Sequence, residues 1–376
     1  MTRLVLCLLF LTFFLSAPVW ASQANHTAAK QVILLDYDTG QVLFEKNADE
    51  RMPTSSMSKV MTIYLVFEAL RDGRLGLDGT LKVSEKAWRK GGSKMFVEVG
   101  KRVKVEDLIR GVLIQSGNDA TIVLAEGLAG TEEAFADALN AKAAELGMTH
   151  SHFMNASGWP DPEHYSTARD LATLSKAIIH DFPEDYRYFS EKEFTYNNIP
   201  QKNRNPLLYR DMGADGIKTG HTEVGGYGLM ASGTREGRRV ILVVNGLEDE
   251  KARAQEGARL LEWGLRGFEN VTLFKAGDTV IDAPVVMGAA KTVPASVAAD
   301  LTVTIPVTVK NDLAVEARYE GPLSAPIKKG DRIGTLRVDI PRVGVTEIPL
   351  LATADVKPLG FFARTIVKMK LFLGGK

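Results

Sequence analysis

The chain of 376 residues carries a single cysteine, Cys7, within the apolar run Leu4–Leu15 near the N-terminus. Downstream of that run no disulfide can form, and Cys7 sits too early for a lipoprotein-type processing site. Histidine is scarce: the six present show no H-x-x-x-H spacing and no cysteine-rich cluster accompanies them, so no metal or other cofactor is expected. Charge of one sign is not in excess either, because 46 basic residues balance 46 acidic ones, and such a chain carries no electrostatic footprint for nucleic acid. The N-terminal apolar run falls short of the roughly 20 residues needed to span a bilayer. Preceded by Met1-Thr2-Arg3 and followed by Val19-Trp20-Ala21, it reads as a secretory signal over residues 1–21, and the remainder is expected to be exported.

What the chain does have is three short motifs in one order: Ser56-Met57-Ser58-Lys59, Ser116-Gly117-Asn118 and Lys218-Thr219-Gly220. An S-x-x-K is weak by itself, since a helix-capping serine and a snorkelling lysine would explain it equally well. Its context is informative. Pro53-Thr54-Ser55 leads into a mostly apolar run to Leu70, which predicts a capped, buried helix with Ser56 in its first turn. Residues three apart share a helix face, so the Ser56 hydroxyl and the Lys59 amine should lie near hydrogen-bonding reach. A serine hydroxyl needs a base beside it, and a lysine serves when burial and a neighbouring cation disfavour its ammonium; Lys218 is the expected neighbour. Ser116-Gly117-Asn118 falls between the apolar helices Leu108–Ile114 and Asp119–Glu126 and reads as a tight polar loop. Lys218-Thr219-Gly220 precedes the strands Gly228–Ser232 and Arg239–Val244, where glycines would let a ligand backbone approach a sheet edge.

Together these residues resemble the low-molecular-mass penicillin-binding proteins that act as serine-type D-alanyl-D-alanine carboxypeptidases. The resemblance covers nearly the whole chain. Lys218-Thr219-Gly220 extends through His221-Thr222 and Gly225-Gly226-Tyr227, and Leu261-Glu262-Trp263-Gly264 is similar to the family's last catalytic-domain helix. Arg253, in the loop leading to that helix, matches the arginine that contacts the substrate's terminal carboxylate. Thr121 stands where some relatives carry a cysteine, so no thiol chemistry is expected beside the site. The resemblance implies an α/β (α+β) penicillin-recognising, β-lactamase-like catalytic domain. It implies Ser56 as nucleophile, Lys59 as base and Ser116 as proton relay to the leaving D-alanine. Asn118 would bind the substrate amide, and Lys218, Thr219 and Arg253 its carboxylate. Gly220 would line the strand, and the backbone N–H groups of Ser56 and His221 would hold the oxyanion, with His221 a backbone donor rather than a base. The implied partners are a peptidoglycan stem peptide and β-lactams.

Two rivals share the scaffold. A class A-like β-lactamase would want S-D-N and a deacylating Glu in an E-x-x-L-N segment, whereas this chain has S-G-N and no such segment. A non-catalytic β-lactam-binding or wall-tethering protein remains the other, although the full set of Ser56, Lys59, Ser116, Asn118 and Lys218 argues against lost catalysis. Length suggests two domains, with a boundary near Gly267. Residues 22–267 read as catalytic. Residues 268–354 carry short Val/Ile/Thr/Leu runs cut by Pro and Gly and read as a small β-sandwich, which the resemblance implies to be a spacer. Residues 355–376, with no acidic residue after Asp355, place Phe362, Ile366, Met369 and Leu373 on one helical face and Arg364 and Lys368 opposite. This pattern predicts an amphipathic helix on an anionic membrane surface, with a helix packed on the protein's own core as the alternative, and with the resemblance it implies peripheral attachment on the outer side of the bacterial inner membrane.

Overall fold

The computed structural model describes residues 26–341, 344–363 and 365–366; the expected signal lies outside them, as do Arg364 and residues 367–376 of the expected tail helix. The catalytic half is built on five strands: β1 (Gln31–Asp36), β2 (Val42–Lys46), β3 (Ala214–Thr222), β4 (Gly226–Arg235) and β5 (Arg238–Leu247). They form one antiparallel sheet in the order β2-β1-β5-β4-β3, so β3 is an edge. Alternate side chains of a strand point to opposite faces, and here both faces are covered. Ile33, Leu35, Met230, Ile241 and Val243 pack into one core, while Val32, Leu34, Leu229, Val240, Leu242 and Val244 pack into another.

The longer helices that do the covering are α1 (Lys59–Arg71), α2 (Val105–Leu113), α3 (Asn118–Ala129), α4 (Glu132–Glu145), α5 (Ala168–Asp181) and α6 (Glu250–Arg266), with a short helix at Glu85–Arg89 adding Ala87. Helices α1 to α5 belong to the first core and α6 closes the second through Ala258, Leu260, Leu261 and Leu265. Helix α1 lies in the middle of the helical lobe and is buried almost all round, from Val60 to Ala69, which is why its sequence lacks a polar stripe. Helix α2 is amphipathic, burying Val105, Leu108, Ile109 and Val112 and turning Glu106, Asp107 and Arg110 outward. Thr131, Thr167 and Asp249 cap α4, α5 and α6 by accepting from the N–H of Ala134, Asp170 and Ala252.

The chain leaves α6 directly into a second, all-β domain with a core of its own. The short apolar runs expected there form the strands Leu301–Pro306, Ala314–Arg318, Arg332–Ile340 and Gly344–Ala352, joined by Phe268–Phe274, Ile281–Val286, Thr292–Ser296 and the short Leu323–Ser324. They form a two-stranded and a six-stranded sheet. Val356 and Pro358, which the sequence placed in the tail, still pair with Ile327 and Gly288 of this domain. Polar contacts tie the two halves together. The Gln41 amide donates to the Thr304 carbonyl at 2.8 Å and accepts its N–H at 3.1 Å, like a strand neighbour. Asn270 donates to Asp36, whose buried carboxylate pairs with Arg238 at 3.0 Å. Among the described residues no helix is long and apolar enough to cross a membrane.

Candidate active site

The first motif does not begin as an α-helix. Ser55–Ser58 form a 3-10 turn that feeds α1 at Lys59, and Thr54 makes no side-chain cap to it. Instead Ser55 takes a left-handed φ of 51°, and its hydroxyl donates to Thr222 at 3.0 Å, fixing the turn to the end of β3. Two glycines make this possible. A Cβ on Gly158 would stand 1.8 Å from the Ser55 carbonyl oxygen, and one on Gly220 2.9 Å from the Thr54 oxygen, so only glycine lets both segments press against the nucleophile turn. Ser56 remains half-buried and reachable.

Lys59 is fully buried, and its Nζ lies 2.7 Å from Ser56 Oγ and 2.8 Å from the Ser157 carbonyl oxygen. Its pKa is lowered from the ordinary lysine value to about 7, first by burial and then by the charge of Arg204, with Asp119 opposing and Lys90 assisting. Lys218, the expected neighbouring cation, is itself buried and shifted. Burial pushes its ammonium well below the ordinary range, and the charges of Lys59, Arg204 and Arg253 add to that. An amine near neutrality is what the motif needs: it keeps two N–H donors, one for Ser157, and gains a lone pair for the Ser56 proton.

The second motif closes the other wall. Ser116 takes a left-handed φ of 59°, and Gly117 then opens α3 at Asn118. Ser116 Oγ is buried and has no hydrogen-bond partner among the described residues. A buried hydroxyl left so costs about 1–3 kcal/mol, and a bound ligand would recover it. The Asn118 amide donates to the Gly91 carbonyl at 2.9 Å, and the Asp119 carboxylate accepts the N–H groups of Met95, Phe96 and Val97, so the loop 91–97 is held against this motif.

The third motif lies on β3 as expected, with Lys218, Thr219 and Gly220 buried and His221 exposed. The His221 ring stacks on Tyr227 at 3.9 Å, and the Arg253 guanidinium lies 5.5 Å from the centre of the same Tyr227 ring. Arg253 is not in a loop. It ends the first turn of α6, where its N–H bonds the Asp249 carbonyl. Among the described residues its Nε is buried without a hydrogen-bond partner, and its guanidinium pairs with the exposed Glu250 at 3.6 Å. Arg204, which no sequence motif marked, joins this cluster from the segment after the hairpin Glu193–Lys202, held by a 2.6 Å bond to Ser93 Oγ. Burial also lowers the pKa of both arginines. Among the described residues no carboxylate forms an ion pair with Lys218 or Arg204, so one end of the cleft gathers three basic side chains, buried at Lys218 and Arg253 and exposed at Arg204, where an anion would be favoured.

Comparison with known proteins agrees with this geometry. The family profile described as Peptidase S11, D-alanyl-D-alanine carboxypeptidase, matches residues 18–249, and that of the penicillin-binding protein 5 C-terminal domain matches residues 268–358. The chain is 41% identical over 350 residues to D-alanyl-D-alanine carboxypeptidase DacC of Escherichia coli, covering 91% of this chain and 88% of that one. The chain belongs to the D-alanyl-D-alanine carboxypeptidase family. It is a serine-type hydrolase with a mixed α and β catalytic domain and a C-terminal β domain. The crystal structure of the carboxypeptidase DacD from Francisella tularensis superposes with a TM-score of 0.82 at 33% identity, covering 89% of this chain and 95% of that one. Penicillin-binding protein 5 from Haemophilus influenzae gives 0.78 at 36% identity, covering 88% and 98%.

Two further groups in this carboxypeptidase escaped sequence reasoning. The Ser157 carbonyl, which orients Lys59, carries no side-chain signal at all. His164 is buried, and its Nδ1 accepts the Met154 N–H at 3.1 Å, so Nε2 carries the proton and donates to Ser58 Oγ at 2.7 Å. Burial lowers its pKa to about 4 and keeps the ring neutral. Ser58 in turn bonds Thr54, and this chain steadies the turn that presents Ser56.

Proposed function

We propose that this enzyme removes the terminal D-alanine from peptidoglycan stem pentapeptides through an acyl-enzyme on Ser56, and that β-lactams acylate the same oxygen. The observation that carries the reading is the 2.7 Å approach of a fully buried Lys59 to Ser56, set beside Lys218 and Arg204, which form no ion pair among the described residues. Ser56 Oγ attacks the carbonyl carbon of the D-Ala-D-Ala bond while Lys59 Nζ takes its proton. The oxyanion is held by the N–H groups of Ser56 and of His221 on the free sheet edge. Ser116 passes a proton to the leaving D-alanine nitrogen, and water then cleaves the ester. Asn118 holds the substrate amide, and Gly220 lets the peptide lie close to β3. Lys218, Thr219 and Arg253, with Arg204 added by the structure, bind the terminal carboxylate.

The expected export and peripheral membrane attachment belong to the same proposal, supported at the tail by Phe361, Phe362 and Ile366, which are 80%, 84% and 54% exposed. The test is release of free D-alanine from a peptide ending in D-Ala-D-Ala, together with labelling by a fluorescent penicillin. Ser56→Ala should lose both while keeping a native circular dichroism spectrum, because Ser55 rather than Ser56 anchors the turn to Thr222. Labelling that survives in this variant would remove Ser56 from the central role, and labelling without D-alanine release by the unaltered protein would favour a non-catalytic binder.

A further inference from the structure

The six-stranded sheet of the second domain has a free edge. Among the described residues the strand Ala314–Arg318 pairs only with Arg332–Ile340, so along its other side a row of backbone N–H and C=O groups faces solvent. Such a row is a template for another strand, and proteins blunt it with proline, a bulge or charged side chains. This edge has no proline and no shift of register, and its charges carry both signs.

The register fixes what each face of the edge offers. Val315 and Ala317 stand opposite buried Val338 and Leu336, which puts them, and Tyr319 by alternation, on the core side of the strand. Val315 and Tyr319 are nevertheless 41% and 38% exposed, because nothing among the described residues continues the sheet beyond them. Glu316 and Arg318 stand opposite Arg337 and Thr335 on the solvent side and pair with each other at 2.7 Å. A second copy of the edge, laid antiparallel about Ala317, would set Glu316 against Arg318 twice and Val315 against Tyr319 twice. Charges would alternate above an apolar contact. The neighbouring registers that keep the faces aligned do worse: centring on Glu316 or on Arg318 opposes like charges. The two signs therefore select one register where charge of one sign would forbid all of them.

We propose that this edge is a self-association surface, on which a second copy of this chain adds its own strand Ala314–Arg318 antiparallel about Ala317 and joins the two six-stranded sheets into one. An edge of five residues is far smaller than a standard interface of about 800 Å² per partner, so the association is weak.

The experiment traps the pair by mild oxidation of the purified full-length protein carrying Cys7→Ser, which otherwise has no cysteine. Directly opposed residues of an antiparallel pair have Cα atoms about 4.5–5.5 Å apart, within reach of a disulfide. Ala317→Cys should therefore give a covalent dimer. Val315→Cys should not, because the two copies of residue 315 would lie about 13 Å apart along the strand, whereas Val315→Cys mixed with Tyr319→Cys should give one again. Comparing positions within one chain removes any association driven by the tail. In the Ala317→Cys protein, Arg318→Glu should slow trapping about tenfold by opposing carboxylates at both symmetric positions, and Glu316→Arg should do the same by opposing guanidinium groups. The double exchange Glu316→Arg, Arg318→Glu should restore the rate, which also shows that loss in the single variants is not misfolding. Equal trapping at residues 315 and 317, no trapping at 317, single reversals without effect, or a double exchange that fails to restore the rate would each overturn the surface.

Discussion

Ser56 and Lys59 were legible as a pair because one helical turn brings them together whatever the rest of the chain does, and the geometry is local. The pKa of Lys59 was not, since it depends on burial by distant segments and on Arg204, which approaches only after the hairpin 193–202 has folded. That value sets the pH dependence. Below about 7 the folded lysine is an ammonium without a lone pair, so kcat/KM for D-alanine release should fall about tenfold per pH unit on the acid side and level off above. A pH series on a neutral peptide substrate checks this, and a profile without a break near 7 would move the base role away from Lys59. Lys59→Arg should be nearly inactive across the whole series, because a guanidinium keeps its proton.

At the scale of elements, β3 and α6 decide what the cleft recognises. Beginning α6 at Glu250 rather than near Leu261 puts Arg253 close to the positive end of the helix dipole and buries its Nε without a partner. Both features disfavour the free protein. Arg253→Ala should therefore leave the melting temperature unchanged or raised. The same variant should lower kcat/KM for peptides with a free terminal carboxylate by about 10- to 100-fold, and far less for the same peptides as C-terminal amides. An equal loss on acid and amide, or a drop in melting temperature, would make Arg253 a structural residue. The start of α6 was hidden because Glu250 to Gln255 carry almost no apolar periodicity; the signals there are the Asp249 cap and a run of strong helix formers, which the packing against β4 and β5 completes.

At the scale of the whole molecule, the three motifs and Arg253 all precede Gly267, and residues 268–358 build a core of their own, but Phe268 also packs into the core closed by α6, and Gln41, Thr304, Asn270 and Asp36 join the halves through directed hydrogen bonds. The exposed Phe361, Phe362 and Ile366 pack on neither core. Removing residues 359–376 should then leave thermal unfolding and peptide hydrolysis unchanged while abolishing sedimentation with anionic vesicles. In the full-length protein, charge reversal at Arg364 and Lys368 should weaken that sedimentation by about 1 kcal/mol per charge. Lost stability or lost hydrolysis on truncation would mean that the tail packs on the protein itself.

The sequence by itself determined the pairing of Ser56 with Lys59, the order of the three motifs and the existence of a β-rich second half, because each depends on contacts within a few residues or on a short pattern of apolar and turn residues. Only the tertiary structure decided that Ser56 rides a 3-10 turn pinned by Thr222, that Arg204 is held at Ser93 near the two lysines, and that His164 lies beneath the turn at Ser58. Those features arise where segments more than a hundred residues apart meet, and burial there sets both the charge states and the available space.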